Sequence, residues 1–182
     1  MIGDTLFSPE VRVGSHKFVQ QAYVVDDIDA AVDYWVKTWR VGPFYVLRHA
    51  QWENLRYRGR PATVDASFAM AQAGPIQIEL CQQHNDAPSC YRDVFPAGHQ
   101  GFHHVATVTD DYDAEIARLS TAGFDIAMEG TFGEMKFAYV DTRAVAGFMT
   151  EVISNWAPVS ESHRMIAEAS FGWDGRDPLR DL

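Results

Sequence analysis

The chain contains two related copies of one segment, and a duplicated unit leaves few ways to build a fold. Residues 18–32 read Phe-Val-Gln-Gln-Ala-Tyr-Val-Val-Asp-Asp-Ile-Asp-Ala-Ala-Val, and residues 102–116 read Phe-His-His-Val-Ala-Thr-Val-Thr-Asp-Asp-Tyr-Asp-Ala-Glu-Ile. The Phe, Ala, Val, Asp-Asp pair, later Asp and next Ala coincide without a gap at a constant offset of 84. A second echo follows each copy. Residues 76–80, Ile-Gln-Ile-Glu-Leu, match residues 148–152, Phe-Met-Thr-Glu-Val, which aligns Glu79 with Glu151 at an offset of 72. Two matches in the same order point to duplication, with a shorter middle in the second copy.

Each copy opens on a β-rich run, 18–25 or 102–109, that ends at the Asp-Asp pair. Asp caps a helix well because its carboxylate accepts from the free amides of the first turn. Helical spacing follows: Ile28, Ala31, Val32, Trp35, Val36 and Trp39 form one apolar stripe, and Tyr112, Ile116 and Leu119 another, with Gly123 placed to end the second helix. Strands are then expected over 44–51, over 55–58 running on through 63–71, and over 76–82 in the first copy. The second copy has them over 125–130, 132–141 and 147–154. Each copy reads β-α-β-β-β. A Pro- and Gly-rich link, 85–100, holds a short helix at 91–95, and a final helix spans 159–171. The organisation is an N-terminal arm (1–15), a first module with its linker (16–100), a second module (101–157) and a C-terminal helix and tail (158–182). These form one structural domain of the α+β class: two paired βαβββ modules plus a C-terminal helix.

Composition is ordinary for a globular chain of 182 residues, with 47% apolar and 22% charged residues. A net charge of −10 argues against nucleic-acid binding, which needs clustered Lys and Arg. No run approaches the roughly 20 apolar residues of a membrane span, and the first 15 residues do not read as a signal peptide. Two cysteines in no metal or redox spacing, Cys81 and Cys90, fit a reduced cytoplasmic setting. Arg56, Arg58 and Arg60 offer a local basic patch for an anionic substrate, or simply a solvated strand face.

Strand alternation assigns faces. Ile76, Ile78 and Leu80 pack beneath the helices, so Gln77 and Glu79 share the opposite face. Phe148 and Val152 point one way, and Met149, Glu151 and Ile153 the other. Glu151 thus has apolar neighbours, and a carboxylate in such company is paired, protonated or on a metal. Gln20 and His104 occupy equivalent repeat positions, as do Glu79 and Glu151. Taken singly, such a Gln or Glu is ordinarily solvated and such a His hydrogen-bonded. Two symmetry-related pairs converging on one cavity make a hard to borderline ligand set for one six-coordinate divalent ion with open water positions. His103 is the rival to His104, but alternation turns it to the other face. His16, His49, His84, His99 and His163 fall outside the repeat and read as surface or loop residues. Trp52, Phe68, Met70, Met135 and Met149 read as core, or as the apolar part of a pocket.

The segments 24–32, 78–80, 101–106 and 148–152 resemble the vicinal oxygen chelate superfamily, which includes glyoxalase I, methylmalonyl-CoA epimerase, extradiol dioxygenases and bleomycin-resistance proteins. The resemblance covers about residues 16 to 156, and it implies that the two paired βαβββ modules form a curved mixed sheet, half-barrels around a metal cavity. It implies that the family's ligand positions fall on Gln20, Glu79, His104 and Glu151, an order similar to that of eukaryotic glyoxalase I. It also implies a substrate carbonyl or enolate chelated by Zn, Ni, Co or Mn, with Glu151 as first and Glu79 as second candidate for the base. Val24 and Gln100 stand where glyoxalase I has glutathione-holding Arg residues, which argues against a glutathione substrate. The Gln20 and Glu79 pair speaks against ferrous ring cleavage, which would need a further imidazole such as His49 or His99. The expected activity is an isomerase, epimerase or lyase that removes a proton next to a chelated carbonyl of a small oxo acid or acyl thioester. A non-catalytic binding or resistance protein and an Fe(II) dioxygenase are the alternatives. A homodimer is expected, with the final helix at its contact.

Overall fold

The structure, a computed structural model, describes residues 17–182. The N-terminal arm expected over 1–15 and His16 lie outside the described residues. The chain runs β1 (Phe18–Val24), α1 (Ile28–Tyr34), β2 (Phe44–Leu47), β3 (Glu53–Tyr57), β4 (Arg60–Pro61), β5 (Ala66–Ala73), β6 (Ile76–Gln83) and α2 (Cys90–Val94). It continues through β7 (Gly101–Thr109), α3 (Tyr112–Thr121), β8 (Ile126–Phe132), β9 (Met135–Val140), α4 (Arg143–Ala146), β10 (Met149–Ser154), α5 (Ala157–Ser170) and β11 (Leu179–Asp181).

Both repeat helices start where the Asp-Asp pairs place them. The Asp27 carboxylate accepts from the amides of Asp29 and Ala30, each at 3.0 Å, and Asp111 accepts from Ala114 at 3.1 Å. One mixed sheet holds every strand in the order β11-β2-β5-β6-β1-β7-β10-β9-β8-β3-β4. The pattern is symmetric about the antiparallel β1–β7 seam, because β1 pairs with β6 in parallel and β7 with β10 in parallel. Duplication therefore appears as an order of strands, and the curved α+β half-barrel arrangement that the resemblance implied is the one observed.

Helices α1 and α3 cover one face. Ile28 and Val32 bury against Ile78, Leu80, Ala69 and Phe44, while Leu119 buries against Val140 and Val152. The other face carries a second apolar cluster that includes Phe68, Met128, Phe137, Tyr139 and Met149. Leu80, Val140, Val152 and Met149 are wholly buried, each contributing about 2 kcal/mol of apolar transfer free energy.

Three local readings change. The stripe ending at Trp39 does not stay on one face: the helix loosens into a π-helical turn over Trp35–Trp39 and leaves Trp39 61% exposed. The strand expected to run from 55 through 71 breaks. Arg58 and Gly59 turn with positive φ, and the short β3–β4 hairpin pairs with β8 of the other half. The final helix, expected over 159–171, runs from Ala157 to Ser170 and turns one face to its own sheet. It lies against β5 with Ile166 buried, and β11 behind it adds a parallel strand to β2.

Candidate metal centre

Strand register explains why four distant residues meet. Ala22 on β1 lies between Glu79 on β6 and His104 on β7, while Ala106 on β7 lies between Gln20 on β1 and Glu151 on β10. Direct cross-strand neighbours share a face. The four polar side chains therefore surround two alanines, which are wholly buried and fill little space. Ala22 and Ala106 are themselves repeat equivalents, so the opening between the four groups is written into the duplicated segment.

Glu79, His104 and Glu151 each offer a ligand atom, and these atoms lie within 4.8 Å of one another. His104 Nε2 is 3.4 Å from Glu79 Oε2 and 3.3 Å from Glu151 Oε2. Donors on adjacent corners of an octahedral or tetrahedral ion at about 2.1 Å are themselves about 3 to 3.4 Å apart. Gln20 lines the same cavity as Glu79 and Glu151. Its Nε2 donates to Gln77 Oε1 at 2.8 Å, which leaves Gln20 Oε1 outward and unpartnered.

His104 is oriented from behind. The carbonyl of Cys90 can only accept, so His103 Nε2, 3.0 Å away, carries the proton and donates to it. Burial and the neighbouring His104 hold His103 down at about 3, so it stays neutral and its Nδ1 is an acceptor. His104 Nδ1, at 2.8 Å, must then donate, and in the neutral ring Nε2 is left with a bare lone pair aimed at the two carboxylates. That nitrogen is buried and meets only the two carboxylates, which in the neutral ring give it no proton to accept. An unpartnered buried oxygen on Gln20, two carboxylates and this nitrogen are a set that either a proton on His104 or a bound cation would satisfy, so these residues fit a divalent ion.

Without a cation the site holds protons instead. Burial opposes charge on His104, but contacts with Glu151 and Glu79 outweigh it and raise its pKa to about 9. Burial raises Glu151, with the charge of Glu79 adding to the rise while His104 and Tyr139 oppose it. The buried Cys81 thiol is pushed well up by burial and by Glu79, and donates to Glu79 Oε2 at 3.3 Å.

The cavity wall is mostly apolar. Trp52, Phe68, Met70 and Met135, for which core was the first reading and pocket wall the second, line it, whereas Met149 is core with no exposure. Helix α5 and the C-terminus close another side with Val159, Ser162, His163 and Leu182. His163, read from sequence as a surface residue, is thus a cavity residue. Its Nδ1 donates to Val159 O at 2.9 Å, and its Nε2 is buried and unpartnered. His99 is exposed in the linker, and His49 and His84 form an exposed cluster with Asp65. Of the basic patch, Arg58 is committed within the fold, while Arg56 and Arg60 are exposed. Arg58 pairs with Asp93 at 2.6 Å and Asp141 at 2.7 Å, and Arg56 donates to Gly59 O.

Alternation failed for His103, which is wholly buried and stacks among Tyr91, His104 and Tyr139. A β-bulge on β7 between the partners of Ala22 and Tyr23 inserts His103 as an extra residue, and a matching shift falls between Phe18 and Gln20. Gln77 and Tyr139 were also missed as site residues. Parity had placed Gln77 on the right face, but nothing local marked Tyr139.

No curated protein sequence matches the chain significantly. Among solved structures, a hypothetical protein from Bacillus halodurans is similar at 17% identity, with 79% of this chain and 96% of that one covered and a TM-score of 0.57. The methylmalonyl-CoA epimerase from Mycobacterium tuberculosis is similar at 12% identity, with 79% and 91% covered and a TM-score of 0.51. At such identities these likenesses speak for the fold. The family model for the glyoxalase/bleomycin resistance protein/dioxygenase superfamily matches residues 19–139. With the duplicated strand order around the β1–β7 seam, that match identifies the chain as a member of the glyoxalase/bleomycin resistance protein/dioxygenase superfamily.

Proposed function

We propose that the chain is a divalent-metal-dependent epimerase, isomerase or lyase that removes a proton next to a chelated carbonyl of a small oxo acid or acyl thioester. Gln20, Glu79, His104 and Glu151 hold the ion, which is Zn, Ni, Co or Mn. The single observation that carries this reading is the meeting of ligand atoms from Glu79, His104 and Glu151 within 4.8 Å, in a cavity that the buried Gln20, its Oε1 unpartnered, also lines. A bound ion would supply Lewis acidity toward the carbonyl oxygen. Glu151 is the first candidate to take the proton, loosening from the ion or acting from just outside its coordination sphere as it does so. Glu79 is the second candidate. Tyr139, whose hydroxyl lies 2.9 Å from that of Tyr91, steadies Glu151. The aromatic and Met wall excludes water from the reacting carbon. His163 presents a bare nitrogen to any donor group on the substrate.

The similarity in fold to an epimerase that acts on methylmalonyl-CoA makes that thioester the first probe. Metal analysis of purified protein should find one equivalent of Zn, Ni, Co or Mn at this site. In deuterated buffer, exchange at the probe's α-carbon should fall at least about 100-fold in Glu151→Gln, the usual contribution of a positioned base. Undiminished exchange removes Glu151 from that role. A protein free of metal as purified, with no exchange after reloading, would favour the second reading, a binding protein that uses the predominantly apolar cavity. His49 and His99, one of which a ferrous ring-cleaving site would have to recruit, are both exposed and neither joins Glu79, His104 and Glu151. A homodimer and a cytoplasmic setting complete the reading. Exposed Tyr34, Trp39 and Phe171 are available to the first, and the buried, unpaired Cys81 and Cys90 suit the second. No helix among the described residues is long and apolar enough to cross a membrane.

A further inference from the structure

On the sheet face opposite the cavity, the ends of three neighbouring strands bring His49, Asp65 and His84 together. Phe68 and Glu79 line the cavity, so alternation turns Ser67 with Asp65, and His84, to the helix-covered side. Gln82, on that same side, accepts from the Ile28 amide of α1. The β5–β6 ladder carries on past its last formal pair, with the His84 amide donating to Asp65 O at 2.8 Å. His49 follows β2, and Ala50 next to it donates to Ala66 O.

The three side chains are already arranged around one point. His49 Nδ1 donates to Asp65 Oδ1 at 2.7 Å, a proton that a bound ion would displace, and the two imidazoles lie 4.5 Å apart, centroid to centroid. One ring nitrogen from each His and a carboxylate oxygen of Asp65 fall within 4.8 Å of one another. The frame beneath them is fixed. The wholly buried Ser67 hydroxyl contacts His84 Nε2 at 2.7 Å and accepts the His49 amide at 3.0 Å. Asn85 accepts from the Asp65 amide and donates to Thr63 O. His49 holds a left-handed backbone, φ 49°, that turns its ring over Asp65. With Nε2 engaged by Ser67, Nδ1 of His84 is the nitrogen left for an ion, and a ligand imidazole characteristically has its second nitrogen held in this way.

We infer that His49, Asp65 and His84 form a second divalent-cation site, independent of the central one, for an ion that favours imidazole such as Zn, Ni or Co. Two nitrogens and one oxygen, with solvent completing the sphere, suit that class rather than Mg or Ca. Both histidines are exposed, so the ion enters without opening the fold. Bound there, it would tie together the ends of β2, β5 and β6.

The test is a zinc titration of the full chain after chelator treatment, with wild type, H49A/H84A and E79Q/E151Q in parallel. Wild type should bind two equivalents, H49A/H84A should lose one, and E79Q/E151Q should keep the equivalent that the histidine variant loses. Zinc should also raise the melting temperature of E79Q/E151Q but not that of E79Q/E151Q carrying H49A/H84A. A stoichiometry unchanged by H49A/H84A overturns the inference, whatever the central site does. A single wild-type equivalent that vanishes with His49 and His84 upholds it and overturns the central reading instead.

Discussion

Two adjacent histidines, alike in chemistry and both without exposure, are driven to opposite protonation states by what each one faces. His103 meets a backbone carbonyl and an imidazole, so burial wins and it stays neutral. His104 meets two carboxylates, so its cationic form wins up to about pH 9 when no ion is bound. A His whose pKa rises on folding stabilises the native state fully below the unfolded value, near 6.5, and loses that stabilisation as pH climbs through its folded value. Chelator-treated protein should therefore lose up to about 3 kcal/mol between pH 6.5 and 9. Urea denaturation across that range measures the loss. Saturating zinc should remove the slope at this site, because the ion takes the place of the proton on His104. A pH-independent stability in the metal-free protein would contradict the opposed roles of the pair.

At the scale of strands, the small residues decide whether the polar ones meet. Ala106 sits between Gln20 and Glu151 with only a methyl on the shared face. Replacing it with Val adds two carbons where the donors converge. We expect Ala106→Val to fold at a cost of about 1 to 3 kcal/mol and to weaken zinc binding at the central site at least about 10-fold. Calorimetry resolves this loss, since titration at His49 and His84 should not change. Much of this was legible in the sequence, because period-two alternation and repeat offsets placed Gln20, Glu79, His104 and Glu151 on converging faces. His103 was misplaced because a bulge adds a residue without leaving any mark on the hydrophobic pattern. Trp39 was misplaced because a π-helical turn abandons the helical period that its assignment assumed.

Across the whole molecule, the halves are joined by more than the central seam. The β3–β4 hairpin leaves the first half to extend the second half's sheet at β8. Its turn residue Arg58 binds Asp93 after the first half and Asp141 within the second, while Arg143 donates to Asp141 and to Asp93 O. These arginines hold Asp141 far below the usual carboxylate range, Arg143 first. Arg58→Ala should cost about 2 kcal/mol, the scale of charge-assisted hydrogen bonds lost from partly buried acids. Arg58→Lys should recover only part, since Nη2 alone bridges both acids and the shorter, more strongly hydrated ammonium must reach the same point. Chemical denaturation of both variants checks the order, and equal stability of Ala and Lys variants would mean that charge geometry at this junction is unimportant.

The sequence alone determined the duplicated βαβββ plan, the capped helices and the face on which each candidate ligand lies. Those features are local: they follow from 2.0- and 3.6-residue periods and from carboxylate caps, which act within a few residues. What only the tertiary structure decided are the contacts between segments far apart in the chain. They include the hairpin crossing to β8, α5 and His163 closing the cavity, the Cys90 carbonyl that sets the tautomers of His103 and His104, and the meeting of His49 with Asp65 and His84. Such pairings depend on sheet curvature and on which surfaces are left to be covered once the strands have paired, and no periodicity in one segment encodes the position of another.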